Sequence, residues 1–273
     1  MYRKIWKECH SAVCSIHFLS KAGTHITTFT GFRIRDYLIT DDIITKFEHP
    51  EKVYLKFVNE DGFTERAGKS MTYKTFKERI VYPGGEKIPG YSIIRLDDKE
   101  FRKIPSLKCG RRINYEIGQP IAVLGYQNDQ GNLAIKGGII SSFFTLPDGL
   151  NYIQLDSAIQ QGNAGCPVIE TENMEVIGVI GHHLSSLARS YHRIMKIFNR
   201  NLSILNAVQG KYSFDDVDPV QVLIANQNQI KHIAKEFFKN ANVRVGFAVE
   251  LCNMIDYCPD LNSTMDFDTR EDG

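Results

Sequence analysis

The 273-residue sequence predicts an all-β protein built on antiparallel barrels and interrupted once by a helical stretch. Short β-branched and aromatic runs recur between Gly, Pro, Asn and Asp turns, and no long helical pattern alternates with them, a spacing that favours barrels over βαβ units. Only residues 185–241 show apolar side chains at three- and four-residue intervals. A chain of this length can bury one large core or two smaller ones.

The elements follow in order. A short amphipathic piece, Tyr2 to Cys9, precedes a strand over Ala12 to Leu19, on which His17 reads as an ordinary strand side chain. Thr27 to Thr40 has the composition of two strands joined by a turn, and Val53 to Val58 alternates as a strand before the Asn59-Glu60-Asp61-Gly62 turn. Further short strands are expected to about Val81, then a Pro83–Pro89 loop and a strand from Tyr91 to Asp97. The charged, irregular run 97–112 fits a crossover, which places one domain over 1–108 and a second over 109–258.

The second half resumes with strands at Ile117–Tyr126, Ile135–Ser141 and Tyr152–Asp156, and a tight Gly/Asn/Pro turn leads on to Val176–Ile180. Leu187, Tyr191, Ile194, Phe198, Leu202 and Leu205 then predict a helix, and Asp218-Pro219 supplies the cap and first turn of another. Val243 to Glu250 reads as the last strand and Leu251 to Tyr257 as a closing helix. Residues 259–273, acidic and polar, are expected to be disordered.

Charge excludes some function classes. With 33 Lys and Arg against 32 Asp and Glu, the net charge of +1 gives no global field toward nucleic acid or an acidic membrane. The six cysteines have no zinc or CxxC spacing, the first residues lack a signal-peptide core, and no apolar run reaches the roughly 20 residues a bilayer needs. The expectation is a cytoplasmic protein with free thiols, no membrane segment, no metal and no cofactor. His182 and His183 do not change this, because neighbours on a strand point to opposite faces and cannot easily share one ion.

The run Gly162-Asn163-Ala164-Gly165-Cys166-Pro167 resembles the nucleophile loop of trypsin-like serine proteases, above all the HtrA/Deg branch with its Gly-Asn-Ser-Gly-Gly-Pro. Thr40-Asp41-Asp42-Ile43-Ile44 is similar to the family's Thr-Asn-Ala-His-Val, and Gly90 followed by Tyr91-Ser92-Ile93-Ile94-Arg95 to its Asp-Leu-Ala-Val-Leu-Lys. Val176–His183 resembles the strand that lines the specificity pocket, and Val243–Glu250 the family's Gly-Ile-Gly-Phe-Ala-Ile-Pro strand. The resemblance implies two six-stranded antiparallel barrels and a C-terminal helix; residues 184–242 depart from it as a helical insertion in the second barrel, and with no PDZ-length segment after the tail an HtrA-type regulatory domain is not expected.

It also implies a degenerate triad. Ile43 stands at the base position, Gly90 at the position of the orienting aspartate and Ala164 at the nucleophile, and none of these side chains can do the chemistry. The expected function is a pseudoprotease serving as protein-binding scaffold, adaptor or regulatory subunit, with a role in antiviral or other bacterial defence suggested by analogy alone. Its cleft would consist of Gly162, Asn163, Ala164, Gly165, Cys166, Gly181, His182 and His183.

A partner protein would dock in that cleft or on the basic insertion, where Arg189, Arg193, Lys196 and Arg200 stand in a stretch, 185–213, with no acid. Two other readings are carried: a cysteine protease using Cys166 with a distant His182 or His183 as base, and nucleic-acid binding by the basic insertion, disfavoured by its few charges and sparse aromatics.

Overall fold

The structure is a computed structural model of residues 1–273; it describes all except 47–49, 85–89, 110–114, 128–130, 146–148, 161, 182–185, 214–216, 241–242, 252–253, 255–257 and 259–273. The expected closing helix and acidic tail therefore lie largely outside the described residues.

The main unit comprises two β-structures. The first is a seven-stranded antiparallel sheet in the order β5 (Glu65–Thr72), β4 (Lys52–Val58), β1 (Val13–Leu19), β2 (His25–Ile34), β3 (Tyr37–Asp41), β7 (Tyr91–Arg95), β6 (Ile80–Tyr82). The second is a closed six-stranded barrel in the order β10 (Asn151–Ile159), β13 (Val243–Glu250), β12 (Val176–Ile180), β11 (Pro167–Glu170), β8 (Pro120–Tyr126), β9 (Leu133–Thr145).

The fold class is the expected one, with two local corrections. The first sheet has seven strands because three-residue β6 adds to the edge of β7. Part of the stretch expected to be strand is a helix, α2 (Tyr73–Glu78). The Thr72 hydroxyl caps it by accepting from the Thr75 amide, and Tyr73 and Phe76, three residues apart, go into the core.

Alternation along the strands makes the cores. Cys14, Ile16 and Phe18 on β1 point into the first, which Leu55, Phe57, Phe76 and Phe101 fill. Ile121, Val123, Ile153, Leu155, Val168 and Ile177 make the second. Helix α1 (Tyr2–Cys9) ties the two together. The Trp6 indole N–H donates to the Glu60 carbonyl and its ring covers Gly62, while the Tyr2 ring lies over Gly137 of β9.

A separate compact unit spans His183–Asn242 and consists of α3 (Ser186–Val208) and α4 (Pro219–Asn240). Asp218 joins their ends: one carboxylate oxygen accepts from the Val220 amide at the start of α4, and the other from Gly210 just past α3. No helix among the described residues is long and apolar enough to cross a membrane.

Candidate functional site

The loop between β10 and β11 is built around Asn163, which is buried. Its Oδ1 accepts from the Gln160 amide (2.9 Å) and from Lys136 Nζ (2.7 Å), and its Nδ2 donates to the Tyr126 carbonyl (3.0 Å). Its backbone carbonyl accepts from the Cys166 amide. One side chain thus fixes both ends of the turn and attaches it to β8. Lys136 donates also to the Ala158 carbonyl, and burial holds its ammonium below the ordinary lysine value.

Two glycines set the path of this loop. Gly162 has φ +96° and Gly165 φ +85°, the left-handed region. A Cβ on Gly165 would lie 2.0 Å from the Thr30 carbonyl oxygen and 2.4 Å from Thr40 Oγ1. The loop is therefore pressed onto the first sheet at β2 and β3.

Thr30 is the hinge of that contact, fully buried. Its hydroxyl donates to the Gly162 carbonyl and accepts from the Tyr126 amide, and its own amide donates to the Ala164 carbonyl. On the far side of the loop the Gly165 amide donates to Ile180 of β12, and the Gly181 amide to Phe247 of β13.

The first sheet carries the other two positions. β3 ends at Asp41, whose carboxylate accepts from the Ile43 amide (2.8 Å) and caps a 3-10 turn over Asp42–Thr45. Ile43 leaves that turn partly buried against the first core, and Ala164 packs against that core too. The Asp42 amide donates to the Gly90 carbonyl. A Cβ on Gly90 would meet only Val249 Cγ2, at an ordinary 3.6 Å. The Asp42–Gly90 bond ties Gly90 beside the turn that carries Ile43, and Ile43 and Ala164, far apart in sequence, both pack against the first core. An alkyl chain, a hydrogen and a methyl can neither move a proton nor attack a carbonyl.

Cys166 is not placed to act as a nucleophile. It has no exposed surface, and a Cβ on Gly125 would lie 1.8 Å from its Sγ, so that strand closes over it. Burial pushes the thiol up to about 12, against the partial relief of hydrogen bonds to Thr30 and Asn163. A thiol so placed is inert near neutrality. His182 and His183 lie outside the described residues, as does the Arg189 side chain; Arg193, Lys196 and Arg200 are exposed on α3.

Several residues of the site escaped the sequence reading. Thr30, Tyr126 and Lys136 carry no motif, because their partners stand 96, 37 and 27 residues away in the chain. Ile159, after a bulge in the β10–β13 pairing, packs on Gly246 so closely that a Cβ there would lie 2.3 Å from its Cγ1.

Two further features stand apart from the loop. Ser15 Oγ lies 2.9 Å from His17 Nε2, and Thr28 Oγ1 lies 2.9 Å from His17 Nδ1 and 2.7 Å from His25 Nε2, but Ser15 has no exposed surface. A cavity of about 320 Å³ lined by Lys21, Lys52, Lys74 and Lys77 shares no lining residue with the loop.

Comparison with known proteins places this arrangement. Residues 35–179 match the family described as trypsin-like peptidase domain. No curated protein matches the chain. Among solved structures, the chain is similar to an inactive-form serine-to-alanine mutant of Rv3671c from M. tuberculosis H37Rv, with 14% identity, a TM-score of 0.53, and coverage of 96% of this chain and 91% of that one. It is similar also to a serine-to-alanine variant of the HtrA-type protease AlgW with a tripeptide, with 18% identity, a TM-score of 0.50 and 66% of this chain covered. The match spans 54%, about half, of that protease's own chain.

Proposed function

We propose, from the premise that this chain belongs to the trypsin-like peptidase family, that it is a non-catalytic member acting as a protein-binding scaffold or regulatory subunit. The observation that carries this reading is the pairing of a rigidly framed loop with inert side chains. Asn163, Thr30 and Gly165 hold the loop against the first sheet, while Ile43, Gly90 and Ala164 fill the places of base, orienting carboxylate and nucleophile. A groove between two β-structures can bind extended peptide by main-chain pairing without chemistry.

Cys9, Cys14, Cys166 and Cys258 form no disulfide among the described residues, which supports a reducing compartment such as the cytoplasm. The buried Cys166 thiol counts against a cysteine protease, and no observation favours nucleic acid as partner.

The test is an immobilised array of extended peptides, read both for retention of the chain and, by mass spectrometry, for cleavage over a day. Retention on a subset of peptides with every peptide intact is the expected result. Cleavage of any peptide by pure protein would refute the non-catalytic reading, and retention on none would remove the groove as a binding site.

A further inference from the structure

We propose that the hairpin of α3 and α4 is a self-association module through which two copies of this chain pair as a four-helix bundle. The inference is independent of the cleft.

The register of the hairpin is fixed by two contacts. Tyr191 stacks on Phe238 with ring centroids 4.1 Å apart, and Lys231 Nζ donates to Asn199 Oδ1 at 2.6 Å. They define an inner seam of half-buried residues, Tyr191, Met195, Phe198 and Leu202 on α3 facing Ile224, Ala234 and Phe238 on α4. Of the apolar residues whose spacing predicts α3, Ile194 lies off this seam and turns outward, 44% exposed.

Ile194 belongs to a second stripe. On α3 it runs Ile194, Ile197, Asn201, Ile204, and on α4 Leu223, Asn226, Ile230, Ile233, Phe237. Both step by three and four residues, the spacing of a coiled-coil seam. At 100° per residue each stripe lies about 100° round its helix from the inner seam, in the same rotational sense. In antiparallel helices, equal rotations of that sense bring both stripes to one side of the hairpin. Lys196 lies on the far side of α3, about 120° from the stripe, while Arg193 and Arg200 flank its edge, about 60° and 80° from its centre.

This face is as apolar as the seam but uncovered. Ile197 and Ile204 are 53% and 56% exposed, and Ile233 and Phe237 are 64% and 69% exposed. The seam beneath is thin, for it contains Lys231, and Gln227 Oε1 is buried there with no hydrogen-bond partner among the described residues. A two-helix unit of this kind needs another apolar layer.

A second copy is the occupant that fits. The exposed stripe side chains offer roughly 700 Å² per chain, so two copies would bury about 1,400 Å², within the range of stable interfaces. The stripes are also self-complementary, since each carries one Asn at a core position. A polar residue so placed sets register and partner number by requiring an amide opposite it.

The experiment is sedimentation velocity on the whole chain at about 50 μM, a concentration well above the Kd of an ordinary stable dimer. A species of twice the 31.1 kDa chain mass is expected. Ile197→Glu with Ile233→Glu should weaken it by about 100-fold or more with unchanged far-UV circular dichroism, because Glu is a good helix former. A monomeric wild type, or a dimer of unchanged affinity in this variant, would overturn the proposal.

If the double variant loses helicity, disulfide trapping with copper–phenanthroline decides. Asn201→Cys, in the stripe, should give a covalent dimer beyond the wild-type background and Ser203→Cys, on the opposite side, should not. Equal trapping of both, or of neither, contradicts the bundle.

Discussion

At the scale of the residue, His17 shows how a side chain without catalytic duty still shapes behaviour. Burial first, then electrostatic interaction with His25 and Lys56, lowers its pKa from 6.5 to about 4. Between those values the unfolded chain binds more protons than the folded one, so stability is complete above about pH 6.5 and falls as the pH drops toward 4. The urea midpoint should therefore decrease from pH 7 to pH 5, and His17→Gln should shrink that decrease. An equal decrease in the variant would mean that other groups carry it. His17 read from the sequence as an ordinary strand position; its bond to Thr28 depends on the β1–β2 register, which no local pattern reveals.

At the scale of the element, the β10–β11 loop was legible because glycine, asparagine and proline have few alternative uses in such a run. Its attachment was not. Asn163 could be singled out, but its partners Tyr126 and Lys136 belong to other strands. Asn163→Ala should cost about 2–3 kcal/mol, since it removes an acceptor from the Gln160 amide and from Lys136 and takes the donor from the buried Tyr126 carbonyl. Denaturant unfolding measures this, and a loss below about 0.5 kcal/mol would show that the loop is held without it.

The helical elements divide similarly. Asp218-Pro219 announced α4, and Asp218 does cap it. Helix α2 was missed because six residues hold too little periodicity to compete with the strand-rich context. On α3 two apolar stripes overlap, and spacing alone could not say which one faces α4.

At the scale of the whole molecule, the sequence carried the fold class through the order of its strand motifs, while the sheets join several strands out of chain order. It could not carry the extra edge strand β6, whose pairing with β7 is set by tertiary contact. The packing of both Ile43 and Ala164 against the first core also emerges only when the two β-structures meet at Thr30. On the proposed reading that meeting makes a peptidase frame whose reacting groups are replaced, and the frame should accept them back. Gly90 has room for a side chain, and Ile43 and Ala164 stand at the edge of the first core.

The most direct measurement is covalent labelling by a fluorophosphonate, compared between the wild type and the I43H/G90D/A164S variant. The account predicts no labelling of the wild type and labelling of the variant once its fold is verified. Active-site labelling of the wild-type chain would contradict it.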